Sequence, residues 1–237
     1  MIALLRYQAA ILLRSPRWIF PLIAYGVLVA AGAAEGGTPL AGGLAWSAAM
    51  LVPVVAFLTR SMLTAEPDAA RACVAAAAGP VRAQLAALLT ALAGGTVLAA
   101  GGACLMVLTS DPAATTASHP SVAGKITASF THPDVFLADL ATAGVCLLVA
   151  SAVGALLNPP LLRHPGIAVL STLAAVIFAL VSGVSPAGAA LRHSGMSTTA
   201  QWPSLATLVA AACLLAIAWT LSALAAARRD TRSLSSS

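Results

Sequence analysis

Charged residues are scarce in this chain. Asp, Glu, Lys and Arg together make up 8% of 237 residues, against about 25% in an ordinary soluble domain. With 60% hydrophobic residues beside them, the polar groups cannot cover a surface facing water on all sides. A water-soluble globular domain is excluded, and lipid is the expected solvent. Lysine is reduced to Lys125 alone beside eleven arginines. This arginine bias, with abundant alanine, suggests a GC-rich bacterial genome. The net charge of +5 comes without a basic stripe interleaved with aromatics, so nucleic acid is not an expected partner. The cations flank apolar runs instead and read as topology signals and lipid-headgroup contacts.

Cysteine is equally sparse. Cys73, Cys104, Cys146 and Cys213 form no CxxC pair, and three of them sit inside apolar runs. Neither a zinc-type spacing nor a secreted disulfide framework is present, and thiols in such surroundings act as small apolar side chains. No GxxxxGK[ST] occurs, since the only Gly-Lys pair, Gly124-Lys125, is followed by Ile126. The chain therefore has no P-loop with which to cradle nucleotide phosphates. Charge is also missing from the middle of every apolar run. Arg60 and Asp139 lie near run ends, from which they are expected to reach the interface. Proton- and ion-coupled transporters place ionisable groups within the bundle, so this absence counts against that class and against an intramembrane enzyme.

What the chain does have is six apolar runs, at about 18–34, 44–63, 84–108, 135–157, 166–185 and 204–226. Crossing a hydrocarbon core of about 30 Å takes roughly 20 helical residues. Backbone polar groups cannot go unpaired in lipid, and the short alternating strands of a barrel are missing. An all-α integral membrane protein with six transmembrane helices is predicted, as one domain over 1–237. Arg6, Arg14, Arg17, Arg60, Arg71, Arg82, Arg163, Arg228, Arg229 and Arg232 all fall on one alternating set of connecting segments, and Lys125 and Arg192 on the other. Loops rich in Lys and Arg stay in the cytoplasm. One orientation satisfies every loop: both termini inside, six crossings between. One helix more or fewer would move Arg163 or the C-terminal arginines to the wrong side. No cleavable signal peptide is expected, because Arg14 and Arg17 interrupt the first apolar stretch.

Residues 2–17 precede the first run. At 100° per residue, Arg6, Arg14 and Arg17 fall within about 80° of one another. Ile2, Leu4, Leu5, Ile11 and Leu12 supply apolar surface elsewhere on the wheel. This predicts a helix along the inner membrane interface with its guanidinium groups among the headgroups, bending at Pro16; a plain extension of the first span is the alternative. Trp18 and Trp219 are expected near the inner interface, Trp46 and Trp202 near the outer one. Pro53 is expected to kink the second span. Gly95, Ala99 and Ala103, with Ala150 and Gly154, are small residues at four-residue spacing that let helices approach closely. The outer segment 109–134 carries Asp111, His119, Lys125, His132 and Asp134. Its spacing is irregular and both histidines precede prolines, which favours extended backbone. A solvated loop is expected, without a metal.

Residues 64–83 carry the fullest helix punctuation in the chain. Pro67 suits a first helical position, where its missing N–H has no consequence. Glu66 and Asp68 place negative charge at a helix N-terminus, and Arg71 can pair with Asp68 three residues on. The interior is alanine, the best helix former. Gly79 suits a C-terminal cap and Pro80 prevents continuation. A helix over about 67–78 is predicted, roughly 18 Å long at 1.5 Å per residue. That is too short to span, and a helix of this length is marginal alone in water. Either a docked partner or the chain's own membrane domain must support it.

These features in order resemble a permease of the ABC-2 type, the exporter class of ATP-binding-cassette transporters: an N-terminal interfacial helix, six spans with both ends inside, a cytoplasmic helix between spans two and three, and a tight turn between spans four and five. The resemblance runs along the whole chain, mainly as pattern. Its most specific local part is Glu66, Arg71, Gly79 and Arg82, similar to the acidic–basic–glycine pattern at the coupling helix of bacterial members. The resemblance implies that a separate ATPase subunit, holding the ATP and Mg²⁺, docks at Glu66, Asp68, Arg71, Gly79 and Arg82. It implies a second permease copy or a paralogue as partner, no cofactor or catalytic residue in this chain, and residence in the bacterial cytoplasmic membrane with Arg6, Arg14, Arg17 and Trp18 at its inner interface. Two departures stand out. The outer segment 186–203 is short for the re-entrant hairpin of some members, and the outer segment after span three is long. The competing reading is a membrane scaffold or immunity protein that transports nothing.

Overall fold

A computed structural model describes residues 2–14, 16–34, 40–109, 133–157, 165–195 and 202–234, and all regular structure among them is helical. Helix α1 is Ile2–Arg14, followed by a single 3₁₀ turn, Pro16–Trp18, and by α2, Ile19–Ala34. Then come α3 (Leu40–Leu63), α4 (Asp68–Ala78), α5 (Pro80–Thr109), α6 (Pro133–Leu156), α7 (Pro165–Val181), α8 (Pro186–Gly195) and α9 (Leu205–Leu234). Four of these helices open on proline, at Pro80, Pro133, Pro165 and Pro186. The first helical position suits proline because the lost N–H has no intrahelical acceptor there. Helix α9 follows Pro203 and is capped by Ser204, whose Oγ accepts from the Thr207 N–H at 3.2 Å.

Helices α3 and α6 form the centre. In α3 67% of the most apolar stretch is buried and in α6 56%, against 22% in each of α5 and α9, which wrap outside. Leu51, Val52, Val55 and Ala56 of α3 interlock with Val145, Cys146, Val149 and Ala150 of α6. Small residues set the spacing. A Cβ on Gly154 would come within 2.6 Å of the Ala56 carbonyl oxygen, and one on Gly95 within 2.5 Å of Leu147 Cδ1. The outer faces are apolar: Phe20, Val97, Leu170, Phe178 and Leu205 are all exposed. In water such a surface would drive association; in a bilayer it meets hydrocarbon. Cys146 lies in the core, whereas Cys73, Cys104 and Cys213 are exposed.

The described residues contain four helices long and apolar enough to cross a membrane: Gly42–Leu63, Pro80–Thr109, Phe136–Leu156 and Leu205–Ala227. These make the chain a multi-pass helical membrane protein. A fifth crossing exists if α7 and α8 count as one broken span, bent by 43°. The apolar run expected over 166–185 thus ends early, at Val181, and helix resumes at Pro186. Pro53 lies inside the unbroken helix α3, whereas Pro186 stands at the first position of the restarted helix, where its missing N–H has no consequence. Arg192 closes the bend by donating from a guanidinium nitrogen to the Val181 carbonyl at 3.3 Å, a cation at a helix C-terminus. Helix α2, the first expected span, has 16 described residues, or about 24 Å, short of the roughly 20 residues a perpendicular crossing needs.

Candidate functional site

One end of the bundle gathers α1, α4, the start of α5 and the last turns of α9. Gln84 of α5 donates to Ser222 Oγ of α9 at 2.8 Å, and both α1 and α4 pack on α5. At the opposite end, the Trp46 indole N–H donates to the Leu28 carbonyl at 3.0 Å, tying α3 to α2. A Cβ on Gly32 would overlap that indole.

The segment between α3 and α5 begins with a winding-down turn, in which the Thr64 N–H and hydroxyl both donate to the Arg60 carbonyl. Glu66 follows, and it turns inward. It is buried, and its Oε1 accepts from the Gln8 side-chain amide at 2.7 Å. A hydrogen bond to an ionised carboxylate is among the stronger kinds, and this one fastens α1 to the entry of α4 across 58 residues of sequence. Gln8 is itself almost wholly buried. On a helical wheel it lies about 120° or more from Arg6, Arg14 and Arg17, so α1 presents arginines to one side and its amide to the other. Arg6 and Arg14 are exposed, as a helix along an interface requires, and Trp18 is half-buried. The side chain of Arg17 lies outside the described residues.

Helix α4 starts at Asp68, with Pro67 in the capping position just before it at φ −57° and ψ 146°. The expectation placed Pro67 inside the helix; extended backbone there sets the helix start one residue later. The C-terminal joint is Gly79, at φ 86°, a region that L side chains rarely adopt. Its N–H closes onto the Ala75 carbonyl at 2.8 Å while its own carbonyl accepts from Ala83 at 3.1 Å. Two helices therefore abut through one residue, and α5 begins at once on Pro80. None of the described side chains of α4 is buried, and Ala69, Ala72, Cys73, Ala76 and Ala77 are exposed on one helical stripe. The side chains of Asp68 and Arg71 lie outside the described residues; Arg82 is exposed at the start of α5. Of the expected site, the structure thus buries Glu66, fixes Gly79 as a joint and leaves Arg82 open to the surroundings.

Sequence reasoning missed Gln8 as the anchor of Glu66; its signal was a polar side chain opposite the arginine face. It also misjudged Asp139. The position near the start of a run led to the expectation of access to the interface, yet Asp139 is buried inside the bundle, because its helix angle turns it toward α2 and α3. The segment 110–132, with Asp111, His119, Lys125 and His132, lies outside the described residues, and Asp134 is exposed. Among the described residues no three His, Cys, Asp or Glu side chains gather closely enough to hold a metal.

Comparison with protein-family models, with curated proteins and with solved structures found no match to this chain.

Proposed function

We propose that this chain is the membrane-spanning subunit of an ABC-2-type exporter, with six crossings, both termini in the bacterial cytoplasm, and a separate ATPase docking on α4. The observation that carries this reading is α4 itself, a short helix held outside the bundle with an uncovered stripe of alanines. Small side chains let a helix sink deep into a groove of another protein. Such a helix passes force only if it is fastened to the membrane domain, and α4 is fastened at both ends, by Glu66 on Gln8 and by Gly79 on α5. On this reading the bent α7–α8 pair is the fifth crossing. The count of six rests on the arginine distribution, with α2 as the first crossing.

On this reading two copies, or one copy and a paralogue, line the pathway. ATP and Mg²⁺ sit on the ATPase pair, whose closure pushes the two α4 helices and alternates access between the sides. The test is co-expression with neighbouring gene products followed by affinity purification of this chain. An ATPase should be retained, and R71E/R82E should reduce its recovery by about tenfold or more, roughly 1.4 kcal/mol of docking energy, with membrane insertion unchanged. Undiminished recovery with that variant would remove α4 as the docking site. A well-folded preparation that retains no ATPase would favour the scaffold or immunity reading.

A further inference from the structure

In the half of the bundle opposite α4 lies a cavity between α2, α3, α5 and α6. Its walls are largely small or apolar: Ala48 and Leu51 of α3, Ala99 and Ala103 of α5, Phe136 and Ala143 of α6. Three residues with side-chain oxygens, Tyr25, Ser47 and Asp139, also line it. Asp139 is 6% exposed, and its Oδ2 is shielded from solvent with no hydrogen-bond partner. It sits two turns into α6, about 9 Å along the axis from Pro133.

The hydroxyls do not answer this carboxylate. Tyr25 donates its proton to the Ser47 carbonyl at 3.4 Å, and Ser47 donates its own to the Leu44 carbonyl at 2.9 Å. Each hydroxyl has one proton and two lone pairs, so a hydroxyl that donates to a carbonyl still has lone pairs for a cation. The Tyr25 hydroxyl is placed this deeply because Gly102 of α5 has no side chain in its way. Among the described residues no Arg, Lys or His lines the cavity; Tyr25 is the only other titratable group facing it, and α3 and α5 contribute none. The result is a small chamber of acceptors around a carboxylate, in a part of the protein where an uncompensated charge is strongly unfavourable. Its volume is about 10 Å³, the space of one water-sized guest. A drug or lipid does not fit.

We propose that this chamber is a binding site for one small monovalent cation, a proton or a sodium ion, held on Asp139 with the Tyr25 and Ser47 hydroxyl oxygens as neighbours. The proposal does not depend on the ATPase reading. It gives the protein a charge that is carried or released according to how α2, α3 and α6 are packed.

The test uses the full chain in nanodiscs with two probes, ²²Na⁺ binding and infrared difference spectra across a pH step. If the guest is a proton, the wild type shows a protonated carboxylic acid band that is insensitive to NaCl and missing in Asp139→Asn. If it is sodium, ²²Na⁺ binds saturably, Asp139→Asn abolishes it, and added NaCl removes any acid band. Tyr25→Phe keeps the carboxylate and guards against a misfolded Asn variant. It should weaken ²²Na⁺ binding about tenfold, or move the midpoint of the acid band by about one pH unit. An ionised Asp139 at neutral pH with no ²²Na⁺ bound overturns the proposal, as does a Tyr25→Phe variant that leaves both probes unmoved.

Discussion

At the scale of single residues, the contact between Gln8 and Glu66 is the most consequential one outside the core. It joins the first helix of the chain to the loop from which α4 starts, and it does so through a buried carboxylate. Gln8→Ala removes that donor. Hydrogen bonds to charged groups contribute about 1.5–3 kcal/mol, and in a chain of this size each kcal/mol moves the unfolding midpoint by about 2–4 °C. We expect Gln8→Ala to lower the midpoint by several degrees, and Glu66→Gln, which keeps the shape and loses the charge, to lower it less. Differential scanning fluorimetry on nanodisc-embedded protein checks both. Equal, negligible shifts would mean that α1 is not anchored at this point. Residue by residue, the expected site was legible where backbone chemistry writes it. Gly79 and Pro80 announce a helix end because few other residues tolerate that turn. The anchor was less legible, because a glutamine on an interfacial helix has many ordinary roles, and only the fold brings it to residue 66.

At the scale of elements, helices longer than about 20 apolar residues announced themselves, and α3, α5, α6 and α9 lie where the apolar runs lie. Two features did not. Helix α8 is held by Ala187, Gly188 and Ala190, which pack closely because they are small. Burial achieved by closeness leaves little hydrophobic signal to read, although Ser185-Pro186 is a recognisable helix start. The facing of Asp139 was hidden for another reason. Helix α6 is apolar on all sides, so no amphipathic pattern tells inward from outward. Helix packing also yields a paired prediction. Gly154→Ala places a methyl group against the Ala56 carbonyl, a backbone atom that cannot rotate aside, and should destabilise by about 1–3 kcal/mol. Gly101→Ala in α5 meets open space and should be neutral or stabilise by up to about 1 kcal/mol through helix propensity. The thermal midpoint should fall for Gly154→Ala and hold or rise for Gly101→Ala; an unchanged midpoint for Gly154→Ala would refute the close α3–α6 approach.

At the scale of the whole molecule, the permease reading requires six crossings with both termini on one side. Cysteine substitutions at 6, 71, 125 and 229, in a variant whose native cysteines are replaced by alanine, labelled in sealed vesicles with a membrane-impermeant maleimide, decide it. Positions 6, 71 and 229 should label from one side and 125 from the other, while labelling of position 6 from the side of 125 would remove α2 as a crossing and overturn the six-crossing topology. The arginine distribution is what points to this arrangement, whereas nothing in the sequence points to the interior. Which helices are central depends on contacts between distant segments, and those leave no local trace.

The pairing of α3 with α6 has a consequence for synthesis. Helix α3 leaves the ribosome well before α6 exists, yet two-thirds of its apolar stretch ends up covered, most closely by α6. For that interval the future centre of the protein stands with its inner face bare. The membrane, or a chaperone within it, must shelter α3 until α6 arrives, so the helix that everything else surrounds is among the last to be fully enclosed.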